Sequence, residues 1–174
     1  VHCRYCFRRH FPYSQNHFHE GNWDTILSYI QQQTALTEVI LSGGDPLMMS
    51  DQKLSRFVTR LQEIKHVRYL RIHTRLPIML PERVDEALLR WLASSRLKMT
   101  MVMHCNHPQE IDNNVAQAMQ KLKQAGVTLL NQTVLLRHVN DSVKTLSALS
   151  ERLFDIGVMP YYLFLLDKVK GAAH

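Results

Sequence analysis

The feature of this sequence that most constrains its fold is a unit that recurs about every thirty residues. In each unit an amphipathic segment is followed by a short apolar run, and the run ends in a polar loop. The apolar runs are residues 38–41, 67–73, 97–104, 127–134 and 159–166. Near-continuous apolar strands that alternate with helices are typical of parallel sheets with covered faces. The repeat therefore predicts an α/β fold of parallel strands with outer helices.

The segments between the apolar runs have the spacing of amphipathic helices. The predicted apolar faces are Leu54, Phe57, Val58, Leu61 and Ile64; Ile111, Val115, Ala118, Met119 and Leu122; and Val143, Leu146, Leu149, Leu153 and Ile156. A shorter helix is predicted from Val84, Leu88, Trp91 and Leu92. Ser50 and Asp51 are placed to cap the first helix, while Gly126 and Gly157 are placed to end the other two.

Five strands at a regular period favour a β/α barrel, although periodicity alone also permits an open sheet. No Gly-x-Gly-x-x-Gly follows a strand, which argues against a dinucleotide-binding Rossmann domain. In a β/α barrel the functional residues lie at the carboxyl ends of the strands. Those ends carry Ser42-Gly43-Gly44-Asp45-Pro46, His73-Thr74-Arg75, His104-Cys105-Asn106-His107-Pro108, Asn131-Gln132 and Asp167-Lys168. This concentration of polar residues predicts an enzyme site on one rim.

The formal net charge of +6 does not indicate a nucleic-acid partner. The basic residues are spread among apolar positions, and no tract alternates aromatic with basic residues as single-strand-binding surfaces do. The adjacent Arg8 and Arg9 suit a smaller anionic ligand instead. No apolar run is long enough to cross a bilayer. The chain begins and ends within what looks like functional sequence, so we expect it to be a fragment of a longer protein.

Cys3 and Cys6 form a C-x-x-C pair, and the third cysteine, Cys105, stands alone. An odd count with this spacing indicates a reducing compartment and a metal or redox role for the pair. Three interpretations are open: a thiol–disulfide couple, half of a zinc site, or part of an iron–sulfur cluster. The residues that follow are aromatic, basic and interrupted by Pro12, which disfavours the couple. A zinc site could recruit His10, His17 or His19.

Six stretches of the sequence together resemble one family. They are Cys-Arg-Tyr-Cys-Phe-Arg-Arg-His-Phe, Leu-Ser-Gly-Gly-Asp-Pro-Leu, Arg-Ile-His-Thr-Arg-Leu-Pro-Ile-Met-Leu-Pro-Glu-Arg, His-Cys-Asn-His-Pro, Asn-Gln-Thr-Val-Leu-Leu-Arg-His-Val-Asn-Asp and Pro-Tyr-Tyr-Leu-Phe. They resemble the radical S-adenosylmethionine (SAM) enzymes, and most of all the lysine 2,3-aminomutases. Within that family the sequence is similar to the short bacterial branch that makes β-lysine for modifying elongation factor P.

The resemblance implies a partial (β/α)6 radical SAM barrel whose first strand precedes residue 1. Residues 1–22 would form the cluster-binding loop, and residues 23–174 the β/α core of a single domain. The family motif is C-x-x-x-C-x-x-C, so Cys3 and Cys6 would be its second and third cysteines. The first cysteine would lie four residues upstream of Cys3. Three thiolates would hold a [4Fe–4S] cluster and leave one iron open to SAM.

The resemblance also implies roles for residues on the rim. Tyr5 would lie against the SAM adenine, and Ser42, Gly43, Gly44 and Asp45 would surround the SAM amino group. His104 and Gln132 would complete the SAM pocket. Arg8 would pair with the carboxylate of L-lysine, and Asp167 would hold its distant amino group. Cys105 is expected to be a small buried residue without a ligand role.

The third implied cofactor is pyridoxal 5′-phosphate (PLP), whose anchoring lysine would lie downstream of His174. The reaction implied is the conversion of L-lysine to β-lysine in the cytoplasm, with an electron donor as partner and an indirect link to elongation factor P. Residues 1–174 alone are not expected to turn over lysine. The alternatives are a catabolic or other amino-acid aminomutase, and a non-catalytic zinc or nucleic-acid-binding module.

Overall fold

A computed structural model of the chain describes Cys3, Tyr5, Cys6, Arg8 and residues 20–168. Within these residues five parallel strands form one sheet in the order in which they occur along the chain. They are β1 (Glu38–Leu41), β2 (Tyr69–Thr74), β3 (Lys98–His104), β4 (Thr128–Val134) and β5 (Met159–Phe164). All five predicted strands are confirmed, although β5 ends two residues earlier than the apolar run. The predicted α/β fold with parallel strands is therefore correct.

Helices cover each connection between neighbouring strands. They are α1 (Trp23–Gln32), α2 (Asp51–Leu61), α3 (Leu76–Met79), α4 (Glu86–Ser94), α5 (Asn113–Gln124) and α6 (Val143–Asp155). Short 3-10 turns occupy Glu20–Asn22, Pro46–Met48, Pro81–Arg83 and Pro108–Glu110. No helix among residues 20–168 is both long and apolar enough to span a membrane.

The helix ends agree with the sequence at their glycines and differ at one cap. Gly126 and Gly157 follow α5 and α6 with φ of +83° and +76°, the left-handed conformation that ends many helices. Ser50 occupies the N-cap position of α2, but its side chain makes no capping hydrogen bond. The Asp51 carboxylate, in the first turn, accepts hydrogen bonds from Arg83 and Trp91. The predicted N-cap position of Ser50 is confirmed, but its side-chain capping bond is absent.

The apolar faces are mostly, though not entirely, the predicted ones. Leu54, Phe57, Val58 and Leu61 are all buried on α2, whereas Ile64 is buried beyond the end of that helix. On α6, Leu149 and Leu153 are buried, but Val143 is 84% exposed and is not part of the core. Helical periodicity therefore located the buried faces and misjudged single residues at the helix ends, where the chain leaves the helical path.

The hydrophobic core lies between the helices and one face of the sheet. Along β2 the side chains alternate between half-buried and fully buried, with Leu70, Ile72 and Thr74 on the helix-covered face. Met99, Met101 and Met103 continue that face on β3. Burial of an apolar side chain of this size stabilises a fold by about 1.5–3 kcal/mol. The core therefore fixes the positions of the strands, and with them the loops that follow each strand.

The opposite face of the sheet carries half-buried polar residues. Arg71 on β2 forms a bidentate ion pair with Glu38 on β1, with N–O distances of 2.8–3.0 Å. A register irregularity between β4 and β5 brings the rings of the adjacent residues Tyr161 and Tyr162 within 4.1 Å of each other. Among the described residues β5 pairs with β4 alone, and its large side chains are 42–57% exposed. This exposed edge agrees with the open, partial barrel expected from the sequence.

Candidate cofactor site at the carboxyl ends of the strands

The loop that follows β1 brings two predicted site residues together. Gly43 has φ of +106°, and a Cβ atom there would lie 3.4 Å from the Arg8 guanidinium. Arg8 Nη1 donates a hydrogen bond to Ser42 Oγ at 3.1 Å. A Cβ atom at Gly44 would meet no atom within 4 Å. Arg8, Ser42 and the two glycines therefore meet on the rim, and the space beside Gly44 is open to a ligand.

Asp45 lies in the same loop, but its carboxylate is used by the chain itself. Oδ1 accepts hydrogen bonds from Leu47 N at 3.1 Å and from Thr74 Oγ1 at 2.7 Å. Oδ2 accepts hydrogen bonds from the backbone nitrogens of Arg75 at 2.7 Å and Leu76 at 3.2 Å. An ionised carboxylate offers about four lone-pair positions, and all four are occupied here. The geometry therefore gives Asp45 the role of joining the loops after β1 and β2.

Arg75, at the end of β2, is the cation nearest the cysteine pair among the contacts described. Its Nη1 lies 3.2 Å from Cys3 Sγ and 3.0 Å from Tyr5 Oη. Its Nη2 donates a hydrogen bond to Glu110 Oε2 at 2.8 Å, and the Arg75 side chain is 20% exposed. Burial opposes the charge of Arg75, but Glu110 and Tyr5 outweigh it and raise its pKa above the usual value. Arg75 is therefore a fixed cation beside a thiol.

The loop after β3 holds Tyr5 from the other side. Asn106 Nδ2 donates a hydrogen bond to Tyr5 Oη at 2.6 Å, and Asn106 Oδ1 accepts one from Val134 N at 2.9 Å. Glu110 Oε1 accepts hydrogen bonds from the backbone nitrogens of Asn106 and His107. Asn140, fully buried, donates to the carbonyls of Asn106 and Val134. These polar bonds fix the rim between β3 and β4 and orient Tyr5.

His104, at the end of β3, packs against Tyr5. The two rings are T-shaped with centroids 5.8 Å apart, and His104 Nε2 lies 3.5 Å from Tyr5 Oη. Burial, together with the nearby Arg75 charge, lowers the pKa of His104 to about 4. Burial also raises the pKa of Tyr5 to about 12, although Arg75 opposes that shift. Both side chains are therefore neutral at pH 7 and offer hydrogen-bonding groups and ring surfaces without a charge.

Two other predicted site residues stand further along the rim. Gln132 on β4 pairs in register with His104 on β3, so the two side chains leave neighbouring strands side by side. Burial and the charge of Arg71 lower the pKa of His73, while an interaction with Gln132 opposes the shift. Asp167 is exposed and lies three residues beyond the end of β5. Because β5 is parallel to the other strands, Asp167 follows its carboxyl end, as the other loops follow theirs. No contact between Asp167 and Arg8 is described.

Cys3 and Cys6 provide two thiols suited to an iron–sulfur cluster. Both are free and partly exposed, and Cys6 N donates a hydrogen bond to Cys3 O at 3.1 Å, which closes a turn between them. A turn of this kind with thiol donors is typical of iron–sulfur ligand loops. Among the described residues no cluster of three or more His, Cys, Asp or Glu side chains could hold a metal ion. Cys3 and Cys6 would supply two of the three thiolates that the family resemblance implies for a [4Fe–4S] cluster.

Of the remaining candidates for metal binding, the structure describes Cys105 alone. His10, His17 and His19, the predicted zinc alternatives, lie outside the described residues, as does Arg9. Cys105 is fully buried, and burial raises the pKa of its thiol to about 12. Its backbone N–H and carbonyl bond to the side chain of Asn131. As expected from the sequence, Cys105 is a buried core residue.

Sequence reasoning missed three residues that organise this rim: Arg75, Asn106 and Glu110. Arg75 and Asn106 stand in the polar stretches that follow β2 and β3, so their positions were indicated but not their contacts. Glu110 stands three residues after His107 in a 3-10 turn and closes a capping box with it, so the His-x-x-Glu spacing was the available signal. Its role depends on the distance to Arg75, which is set by the packing of two loops.

The chain is similar in sequence to several L-lysine 2,3-aminomutases. No protein-family model matches the chain. The whole chain is 56% identical to the L-lysine 2,3-aminomutase of Escherichia coli K12 and 52% identical to that of Haemophilus influenzae, covering 51% and 52% of those proteins. It is 38% identical to the L-lysine 2,3-aminomutase of Clostridium subterminale and covers 42% of it. The chain thus spans about half the length of the curated relatives it matches.

A solved structure supports the fold independently. The structure of native anSMEcpe with bound AdoMet and Kp18Cys peptide matches 96% of this chain and 48% of its own with a TM-score of 0.68. The sequence identity is 12%, so this likeness concerns the arrangement of strands and helices alone. The parallel strands and outer helices share the fold of that structure, which agrees with the partial barrel predicted from the sequence. With 52–56% identity along all 174 residues, the chain is similar to L-lysine 2,3-aminomutases, of which it covers about half.

Proposed function

We propose that the complete polypeptide is a radical SAM lysine 2,3-aminomutase that converts L-lysine to β-lysine. The observation that carries this proposal is the contact of the Cys3–Tyr5 loop with the carboxyl rim, through Arg75 and Asn106. Tyr5 lies 3.5 Å from His104, and Arg8, two residues after Cys6, contacts Ser42 beside Gly43. His104, Ser42 and Gly43 are among the residues that the family resemblance assigns to SAM. The relatives named L-lysine 2,3-aminomutase support the choice of reaction.

In this proposal Cys3 and Cys6 supply two of the three thiolate ligands of a [4Fe–4S] cluster. The chemistry supplied by the bound groups is one-electron reductive cleavage of SAM at the cluster and stabilisation of a lysine-derived radical by PLP. The chain's own residues bind and orient these groups and the substrate, and they exclude water from them. The space beside Gly44, where a Cβ atom would meet no atom within 4 Å, admits the amino acid moiety of SAM. The neutral side chains of His104 and Tyr5 form an uncharged wall beside it. Gln132 extends that wall along β4.

Arg8 and Asp167 are proposed to hold the two ends of lysine. A guanidinium fork pairs bidentately with a carboxylate, and Arg8 lies on the rim beside Ser42 and Gly43. Asp167 is an exposed carboxylate beyond β5 and suits the distant ammonium group. PLP is proposed to bind partly through a lysine downstream of residue 174. Residues 1–22 are proposed to form the cluster loop, and residues 23–174 the core.

An electron donor, a link to elongation factor P and a cytoplasmic location are also proposed. The cluster requires a low-potential one-electron donor, and β-lysine is proposed to serve the modification of elongation factor P. The support for that link is the resemblance to the short bacterial branch. A cytoplasmic location suits a chain whose three cysteines are all free thiols.

The cluster is tested by reconstituting the complete polypeptide with iron and sulfide without oxygen. We expect broad visible absorption that Cys3→Ala and Cys6→Ala remove. Cys105→Ala is the matched control, because Cys105 is buried away from the rim and its replacement should leave the absorption unchanged. Stoichiometric zinc in place of iron, with no cleavage of SAM, would contradict the proposal and favour the zinc module.

The reaction is tested by supplying the reconstituted enzyme with SAM, PLP, a reductant and L-lysine, and by measuring β-lysine. Arg8→Lys and Asp167→Asn should each raise KM for lysine by about tenfold or more, since Lys loses the bidentate pairing with the carboxylate and Asn loses the negative charge. A β-amino acid formed from another amino acid, with none from lysine, would assign the enzyme to a different aminomutase. Loss of β-lysyl elongation factor P on gene deletion tests the link to modification.

A further inference from the structure

We infer that Arg75 is a positioning residue of the cluster site, which donates a hydrogen bond to the sulfur of Cys3 and thereby favours the reduced cluster. The inference rests on the proposed function, because it takes Cys3 as a cluster ligand. No role for Arg75 follows from its place in the sequence. The role follows from three contacts of one guanidinium group.

The guanidinium of Arg75 contacts three residues at once. Nη1 lies 3.2 Å from Cys3 Sγ and 3.0 Å from Tyr5 Oη, so one nitrogen bridges two residues of the ligand loop. Nη2 faces the opposite way and donates to Glu110 Oε2 at 2.8 Å. A planar fork can make these contacts in different directions at the same time, whereas an ammonium group is a point donor.

Hydrogen bonds hold Arg75 at its backbone and at its guanidinium. The backbone N–H of Arg75 donates to Asp45 Oδ2, which fixes the start of the side chain. Glu110 fixes its end, and Glu110 is itself held by the backbone N–H groups of Asn106 and His107. The side chains of Arg75 and Glu110 are 20% and 24% exposed. The cation is therefore pinned at both ends, and its approach to Cys3 is not the chance position of a mobile surface arginine.

The hydrogen bond from Arg75 would affect the charge of a cluster bound to Cys3. Reduction adds one negative charge to the cluster and its sulfur ligands. A hydrogen bond from a cation to a ligand sulfur stabilises that charge, and such bonds are among the factors that set iron–sulfur potentials. Arg75 should therefore make the cluster easier to reduce. Through Tyr5 it also ties the ligand loop to the rim on which SAM is proposed to bind.

The test compares reduction potentials in the reconstituted complete polypeptide, followed by electron paramagnetic resonance. Arg75→Met removes the donor, and we expect it to lower the equilibrium constant for one-electron reduction about tenfold, a shift of about 59 mV towards negative potential. Arg83→Lys is the matched control. Arg83 is a buried arginine, 13% exposed, that pairs with Asp51 at 2.9 Å on the helix side of the sheet. Its replacement should leave the potential unchanged.

A second readout detects the contact itself and uses a variant that keeps the charge. In protein labelled with isotopic arginine nitrogen, electron spin echo spectroscopy of the reduced cluster should show a weak coupling to that nitrogen. Arg75→Lys should abolish the coupling, and Arg83→Lys should retain it. If Arg75→Met does not fold, Arg75→Lys decides the question alone, because its outcome does not depend on the size of the potential shift.

The outcomes separate this inference from the proposed function. A complete polypeptide that binds no iron–sulfur cluster overturns the proposed function. A loaded cluster whose potential is the same in Arg75→Met, or whose nitrogen coupling persists in Arg75→Lys, overturns the role of Arg75 and leaves the proposed function standing. A lowered potential and a lost coupling, with the Arg83 control unchanged, support the inference.

Discussion

The Asp45 carboxylate accepts the backbone N–H of Arg75 at 2.7 Å, and this bond joins the loop after β1 to the end of β2. The same carboxylate also accepts from Thr74, Leu47 and Leu76. Since Arg75 in turn contacts Cys3 and Tyr5, the position of the cysteine loop depends on a carboxylate that makes no described contact with it. Asp45 thus contributes to the site by arranging its neighbours.

Replacing Asp45 with Asn should destabilise the protein by about 2–4 kcal/mol. An amide keeps one acceptor oxygen, and its NH2 group would face backbone N–H donors that are then left without a partner. Chemical denaturation of the complete polypeptide measures the loss. Asp85→Asn is the control, because Asp85 caps α4 by accepting from Leu88 N and Asn caps helices about as well. Equal effects of the two substitutions would contradict the structural role of Asp45.

Gly43 and Gly44 should respond differently to alanine. At Gly43 the φ of +106° is strained for any residue with a Cβ, and the new methyl group would also touch Arg8. We expect Gly43→Ala to cost about 1–2 kcal/mol of unfolding free energy. Gly44 has neither constraint, so Gly44→Ala should cost less than about 1 kcal/mol. A larger loss at Gly44 than at Gly43 would show that the loop has another conformation.

His104 should make the protein less stable as the pH falls from about 6.5 to about 4. Its native pKa is lowered to about 4 by burial and by Arg75, whereas the unfolded chain keeps the ordinary value near 6.5. Between these values the unfolded state binds a proton that the native state does not. The loss over this window is roughly 2–4 kcal/mol, and above pH 6.5 it is absent.

The measurement compares denaturation curves of the protein and of His104→Gln across that pH range. Gln cannot take up the proton, so its curve should fall less steeply, and the difference between the two proteins should appear below pH 6.5. Other groups titrate in the same window and affect both proteins alike. Parallel pH profiles would mean that His104 is protonated equally in the folded and unfolded states.

Cys105 should be protected from alkylation in the native protein. It is fully buried, and burial raises the pKa of its thiol to about 12, so little thiolate forms at pH 8. Cys3 and Cys6 are partly exposed and should react with iodoacetamide before any cluster is added. Peptide mapping by mass spectrometry reports each site. Modification of all three cysteines in denaturant is the control, and rapid native modification of Cys105 would contradict its buried position.

Much of the fold could be predicted because its information is local. A strand such as β2 shows its buried face as residues that alternate along the sequence, and a helix such as α5 shows its own as residues spaced three and four apart. The glycines after α5 and α6 also marked the helix ends correctly, since a left-handed residue is required there. Ser50 was placed correctly at the N-cap of α2, but the hydrogen bonds of Asp51 to Arg83 and Trp91, which are distant in sequence, could not be predicted.

The sequence by itself determined the fold class, the five strands, the cysteine pair and the rim on which polar residues collect. Only the tertiary structure decided which of those residues touch. Arg75 meets Cys3 across 72 positions, and Asn106 meets Tyr5 across 101. Such contacts depend on the register and twist of strands that share a core, and no local pattern encodes them. For the same reason the four hydrogen bonds that the Asp45 carboxylate accepts within the chain could not be read from the sequence. Its place beside the SAM amino group stays a prediction.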